Sequence, residues 1–166
     1  MQTSVDAALL LNFFLTFARF EFALKNADFF KKPGYPIDPA DPPDAQPDWD
    51  RFAVSIRDVF NPDSRSALRD ACDYLLLNPP EREVVMNGPC LMWERRSPPE
   101  HLSSAERVIL CVRRVRNNLF HGGKFTTQPV PTLDRNEGLL RSSLVILDEC
   151  MTLSTPVSAK YEAAIL

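Results

Sequence analysis

Arg116, Asn117 and His121 fall within the nine-residue run RNNLFHGGK, which ends at Lys124. An imidazole that titrates near neutral pH can take the proton of a ribose 2′-hydroxyl or give one to a leaving oxygen. A guanidinium can grip a phosphate through paired hydrogen bonds and oppose the charge that grows in the transition state. Arginine and histidine together therefore suit RNA cleavage without a metal. In this scheme His121 is the base or the acid and Arg116 holds the phosphate. Asn117, four residues before His121 and so on the same helix face, orients one or the other. Gly122 and Gly123 let a nucleic-acid backbone come close. DNA lacks the 2′-hydroxyl and should resist.

The surrounding charge agrees. From Glu106 to Lys124 there are five bases (Arg107, Arg113, Arg114, Arg116, Lys124) and one acid, a segment of net charge +4 in a chain of net charge −3. The protein as a whole is not a general nucleic-acid binder, so an anion would be met locally, by Arg113, Arg114 and Lys124 beside the motif. Arg96 precedes His101 at the same spacing, but Ser97-Pro98-Pro99 between them breaks any helical frame. Two plainer roles remain open: a histidine at a helix C-terminus opposes the dipole, and Arg116 could be a structural ion-pair partner of Glu21. In the functional reading the same Glu21 positions the arginine.

Spacing sets a further condition. Residues five apart on an ideal helix differ by ~140° in azimuth and ~7.5 Å along the axis. Arg116 and His121 of one straight helix do not converge easily on one phosphate. A second copy brought in by a two-fold axis would supply the missing partner.

The elements that must position these residues are helical. Ser103 and Glu106 form a Ser-x-x-Glu capping box that opens the motif helix, with Val108, Val112, Val115 and Leu119 as its core stripe and Gly122 as its C-terminal cap. A first helix is expected from about Thr3, capped together with Asp6, to about Ala27. Its first half is apolar nearly all round, so it needs two partners, for instance its own core and another subunit. Asp48 caps a helix bearing Trp49, Phe52, Ile56, Val59 and Phe60, stopped at Asn61-Pro62. Leu68, Ala71, Cys72, Leu75 and Leu76 mark another, from about Ser64 to Leu77. Leu140, Leu144, Leu147 and Met151 mark a last one, from about Asp134 to Leu153. Residues 81 to 100 show no clear pattern, and Trp93 there reads as a core anchor. No alternating strand pattern appears, so the expected fold is all-α, a helical bundle with long Pro-rich loops. Residues 1–153 form one domain and 154–166 a loosely ordered tail.

At 166 residues the chain can bury a core without staples. Its fifteen prolines gather in loops, above all in KKPGYPIDPADPPDAQPD, residues 31 to 48. Asp38, Asp41, Asp44, Asp48 and Asp50 read there as solvated charges. Cys72, Cys111 and Cys150 fall at apolar helical positions and Cys90 lies apart, with no CxxC pair. Two histidines do not complete a zinc site. This usage suits a reducing, cytoplasmic setting. The apolar run from Ala7 to Phe17 is too short to span a bilayer and reads as a buried helix rather than a signal peptide.

The Arg-polar-x3-His pattern at Arg116, Asn117 and His121, near the end of a late helix, resembles the HEPN superfamily of small helical domains. The resemblance implies a HEPN-like helical bundle and a homodimer whose cleft pools both motifs. It also implies, for many members, metal-independent endoribonuclease activity without a cofactor. A growth-inhibiting toxin or defence factor acting on RNA, held by a cognate antitoxin protein and with no membrane partner, would fit. The alternative it leaves is a non-catalytic module that binds nucleotide, RNA or a protein.

Overall fold

The computed structural model describes residues 5–88, 90–120 and 133–164. Among these the order is α1 (Ala7–Asn26), α2 (Trp49–Ile56), a 3-10 turn (Pro62–Ser64), α3 (Ser66–Leu77), β1 (Glu81–Met86), β2 (Cys90–Arg95), α4 (Ser104–Phe120), α5 (Leu133–Thr152) and α6 (Thr155–Ala163). The protein is mostly helical, as expected, but it also carries an antiparallel β-hairpin running from the Glu81–Arg95 pair to the Met86–Cys90 pair. That hairpin corrects the expectation of no strand, and the helical bundle is therefore not purely α.

Helix α1 begins later than the sequence suggested. Asp6 is its N-cap, accepting from the Ala8 N–H at 2.9 Å, and so is not the third residue of a helix begun at Thr3. Its far end closes without glycine. Asp28 takes a left-handed conformation (φ 66°) and the Phe29 N–H returns to the Leu24 carbonyl at 2.8 Å, the six-to-one bond of a Schellman ending. Leu9, Phe13, Phe17, Phe20, Ala23 and Leu24 are buried. Phe20 stacks on Trp49 with ring centres 5.1 Å apart, and Phe52 meets both Phe20 and Phe29 edge-on. Aromatic pairs of this geometry add ~0.5–1.5 kcal/mol each beyond the area they bury.

The proline-rich segment is irregular, and residues 34 to 46 are exposed throughout. Its neck is closed: Lys31 N–H donates to Gln46 O at 2.8 Å and Asp48 N–H to Phe29 O at 2.9 Å. This fixes α2 against the end of α1. Asp48 caps α2 as expected, accepting from Arg51 N–H at 3.0 Å. The helix stops at Ile56, however, so Val59 is exposed instead of joining the core face.

The bundle is closed by α3 on α5, by α2, α3 and α5 on α4, and by α5 and α6 on α1. Val108, Val112 and Val115 point into it from α4, and Leu140 and Leu147 from α5, while Leu119, Leu144 and Met151 are half-buried. Cys72, Cys111 and Cys150 are buried, and burial pushes the thiols of Cys72 and Cys111 up to about 12 and about 11, and that of Cys150 higher still. Trp93 is only half-buried on β2 and lies outside the core. The loose tail expected after residue 153 is instead α6. It seats Val157 in the core and presents the Tyr161 carbonyl to Arg19 Nε at 2.7 Å, with the Arg19 guanidinium 4.3 Å from the Tyr161 ring centre.

Candidate functional site

The capping box that opens α4 is formed in full. Glu106 N–H donates to Ser103 Oγ at 3.3 Å, and Ser103 N–H returns to Glu106 Oε2 at 3.0 Å. Ser103 Oγ also donates to the same carboxylate oxygen at 2.6 Å. These bonds hold the Glu106 carboxyl below the ordinary carboxylate range, first through the Ser103 hydroxyl and then through its backbone N–H. Helix α4 thus starts at a fixed point and delivers Arg113, Arg116 and Asn117 about three to four turns later.

Arg116 is built into a small frame of aromatic and acidic groups. Its guanidinium carbon stands 5.6 Å from the ring centre of Phe17, and its Nη2 lies 4.0 Å from Glu21 Oε2. Nη1 donates to Asn117 Oδ1 at 3.2 Å. Glu21 is held from the other side, since Trp49 Nε1 donates to its Oε1 at 3.2 Å. Trp49 is buried between Phe17 and Phe20, so its one N–H has a fixed direction. The chain of support runs from the aromatic core to Trp49, then Glu21, then Arg116. About a third of the Arg116 side chain (32%) stays open to solvent, and an incoming phosphate could reach it there.

The other bases divide around the helix. Arg113, ~60° from Arg116 in azimuth, shares its side of α4. There its Nη1 contacts Asp50 Oδ1 at 2.6 Å. Arg114 lies ~160° from Arg116, and its Nη1 donates to the Arg96 carbonyl at 2.6 Å. Arg113, Arg114 and Arg116 therefore do not form one patch. Arg113 and Arg116 belong together, and Arg114 is directed to the β2 side. Asn118 donates to the Glu81 carbonyl and ties α4 to the start of the hairpin.

His121, Gly122, Gly123 and Lys124 lie outside the described residues, as do Thr3 and the loop prolines Pro129 and Pro131. Of the site residues expected from sequence, Arg116, Asn117 and Glu21 come together, with Arg113 beside them. Three contributors went unrecognised: Phe17 beneath the guanidinium, Trp49 behind Glu21, and Asp50 on Arg113. Trp49 carried a signal, because a buried indole N–H needs an acceptor. Asp50 was counted with the solvated loop charges. Its place in the first turn of a helix, where carboxylates oppose the dipole, was the available hint.

Among the described residues no three His, Cys, Asp or Glu side chains converge as a metal site would require. A cavity of about 240 Å³ lies elsewhere, between α1, α5 and α6, lined by Thr16, Phe20, Leu144, Leu147, Asp148 and Tyr161. It is separate from Arg116. No family model matches the chain, and no match to it was found among curated proteins or solved structures.

Proposed function

We propose that this chain is a metal-independent endoribonuclease of the HEPN type, acting as a homodimer in the cytoplasm and serving as a toxin or defence factor restrained by a cognate antitoxin. The observation that carries the reading is the mounting of Arg116. An arginine backed by an aromatic face and a doubly engaged carboxylate, with about a third of its side chain (32%) open to solvent, is suited to hold a phosphate. Five residues on in sequence stands His121, which supplies the proton transfer.

The reaction balances without a co-reactant. The 2′-oxygen loses its proton to an imidazole and attacks the adjacent phosphorus, the P–O5′ bond breaks, and the 5′-oxygen takes up a proton. The products are a 2′,3′-cyclic phosphate and a 5′-hydroxyl. Arg116 neutralises charge on the non-bridging oxygens, and Glu21 acts only through Arg116, as a positioning residue.

A second reading has its own support. Arg113 and Arg116 each lie against a carboxylate from another helix, Asp50 and Glu21, which is also what a non-catalytic RNA-binding or interaction module would use to hold α4 in place. The test is RNA cleavage by purified protein in EDTA beside His121→Ala, with the product ends mapped. Cyclic phosphate ends that disappear in the variant are the expected result. A folded dimer that leaves RNA intact, yet binds it with steep salt dependence weakened by Arg116→Ala, would identify the binding module instead.

A further inference from the structure

Helix α1 has a second apolar face that nothing among the described residues covers. Leu11, Leu15 and Phe22 are exposed by 57%, 45% and 45%, and Ala8 and Ala18 on the same stripe are exposed too. The five positions recur at intervals of three, four, three and four residues, the spacing of a helix-pairing seam. They lie opposite the face that buries Leu9, Phe13, Phe20 and Leu24.

We propose that this stripe is the dimer seam, in which α1 pairs antiparallel with α1 of a second copy about a two-fold axis at Leu15. The order of side-chain sizes selects that arrangement. Leu15 meets the partner's Leu15, Leu11 meets the partner's Ala18, and Phe22 meets the partner's Ala8, so every other layer sets a large residue against a small one. Parallel pairing would stack Phe22 on Phe22 and Ala18 on Ala18, crowding one layer and leaving a void in another. Charge selects it as well. Antiparallel pairing sets the positive end of each helix dipole beside the negative end of the other, whereas parallel pairing would set like against like.

The seam bears on the candidate site through symmetry. Glu21 lies about a quarter turn from the centre of the stripe and ~9 Å along the axis from Leu15. A two-fold axis perpendicular to the helix pair keeps a flanking residue on the same side in both copies; one parallel to the pair places it on opposite sides. The antiparallel seam therefore puts both Glu21–Arg116 pairs on one face of the dimer, ~18 Å apart along the helix direction. This consequence for a pooled cleft rests on the ribonuclease reading, while the seam stands on α1 alone.

Alpha-1 is also long and apolar enough to cross a membrane, with 20 residues at a mean hydropathy of 1.6 in its most apolar window. Its inner face is committed to the aromatic core, and Arg19 and Glu21 are engaged on its flanks, which favours a protein partner over lipid.

The test begins with sedimentation of the full chain. The expected mass is twice 18.8 kDa, falling to the monomer in Leu15→Glu, which meets itself on the axis, with an unchanged helical circular dichroism spectrum. Orientation is read by crosslinking in a Cys90→Ser background. Leu15→Cys should form an intermolecular disulfide, Leu11→Cys alone should not, and Leu11→Cys mixed with Ala18→Cys should. A monomeric parent chain, a Leu15→Glu dimer or a Leu11→Cys homodimer would each overturn the proposal. So would a monomer that floats with phosphatidylcholine vesicles, which would assign the stripe to lipid. A crosslinked dimer that never cleaves RNA refutes the ribonuclease reading and leaves the seam; full cleavage by the Leu15→Glu monomer leaves the seam and refutes the pooled cleft.

Discussion

Arg116 on α4 and Glu21 on α1 stand 4.0 Å apart, and the carboxylate is fixed independently of the arginine by the Trp49 indole. The geometry is ordered from the core outward: the rings set Trp49, Trp49 sets one oxygen of Glu21, and the other oxygen faces the guanidinium. A pair this exposed contributes little to stability, ~0–1 kcal/mol. Its value lies in direction rather than energy.

A separable pair of effects is therefore expected in cleavage assays. Arg116→Ala should reduce kcat/KM by ~10²-fold or more, the usual cost of removing a transition-state donor, and Arg116→Lys should not restore it because the planar fork is lost. Glu21→Gln keeps an acceptor for Trp49 and removes the charge. It should lower kcat by ~10-fold while leaving the melting temperature and the pH profile unchanged. A shifted pH profile in Glu21→Gln would make Glu21 a proton-transfer group and contradict the positioning role.

Parts of this arrangement were legible in the residues, and the reasons the rest were not are physical. A carboxylate inside an aromatic helix needs a cation, which makes Glu21 a partner for Arg116 on the sequence alone. Ser103 and Glu106 are three residues apart and interact locally, so the start of α4 was placed correctly. The hairpin was missed because its tip is apolar on both faces. Val85, Met86, Leu91 and Met92 are all exposed, so no alternation between a buried and a solvated face was written into the strands. Asn87-Gly88, with Gly88 at φ 89°, was the visible turn signal. Helix α6 was missed because it buries only Val157 and is held by Arg19, a contact between the two ends of the chain that local periodicity does not encode.

The capping box makes a pH prediction of definite sign. The folded-state carboxyl of Glu106 lies below its ordinary value. Its contribution to stability is thus complete above the unfolded-state value and is lost as pH falls through the folded one. Glu106→Gln keeps the reciprocal bond of the box without the charge. Chemical denaturation should show the parent chain more stable than Glu106→Gln at neutral pH, by up to ~1 kcal/mol, with the gap closing below the normal carboxylate range. A gap that widened in acid would have the wrong sign and refute the assignment.

Gly138 decides how closely α5 approaches α3. A Cβ built there would fall well inside contact with the Cζ and Oη atoms of Tyr74, and that hydroxyl is already donating to the Arg135 carbonyl at 3.3 Å. Two effects oppose each other in Gly138→Ala: the helix gains ~1 kcal/mol in propensity, while overpacking costs ~1–3 kcal/mol. The ring cannot swing aside without losing its bond to Arg135, so the clash should win. A net destabilisation of up to ~2 kcal/mol, or up to ~8 °C in Tm for a chain this long, is expected. The sign is diagnostic when the neighbour is changed. With Tyr74→Leu the obstruction is gone, and Gly138→Ala should then stabilise through propensity alone. A substitution that destabilises equally in both backgrounds would show that the Tyr74 contact is not what requires glycine at this position.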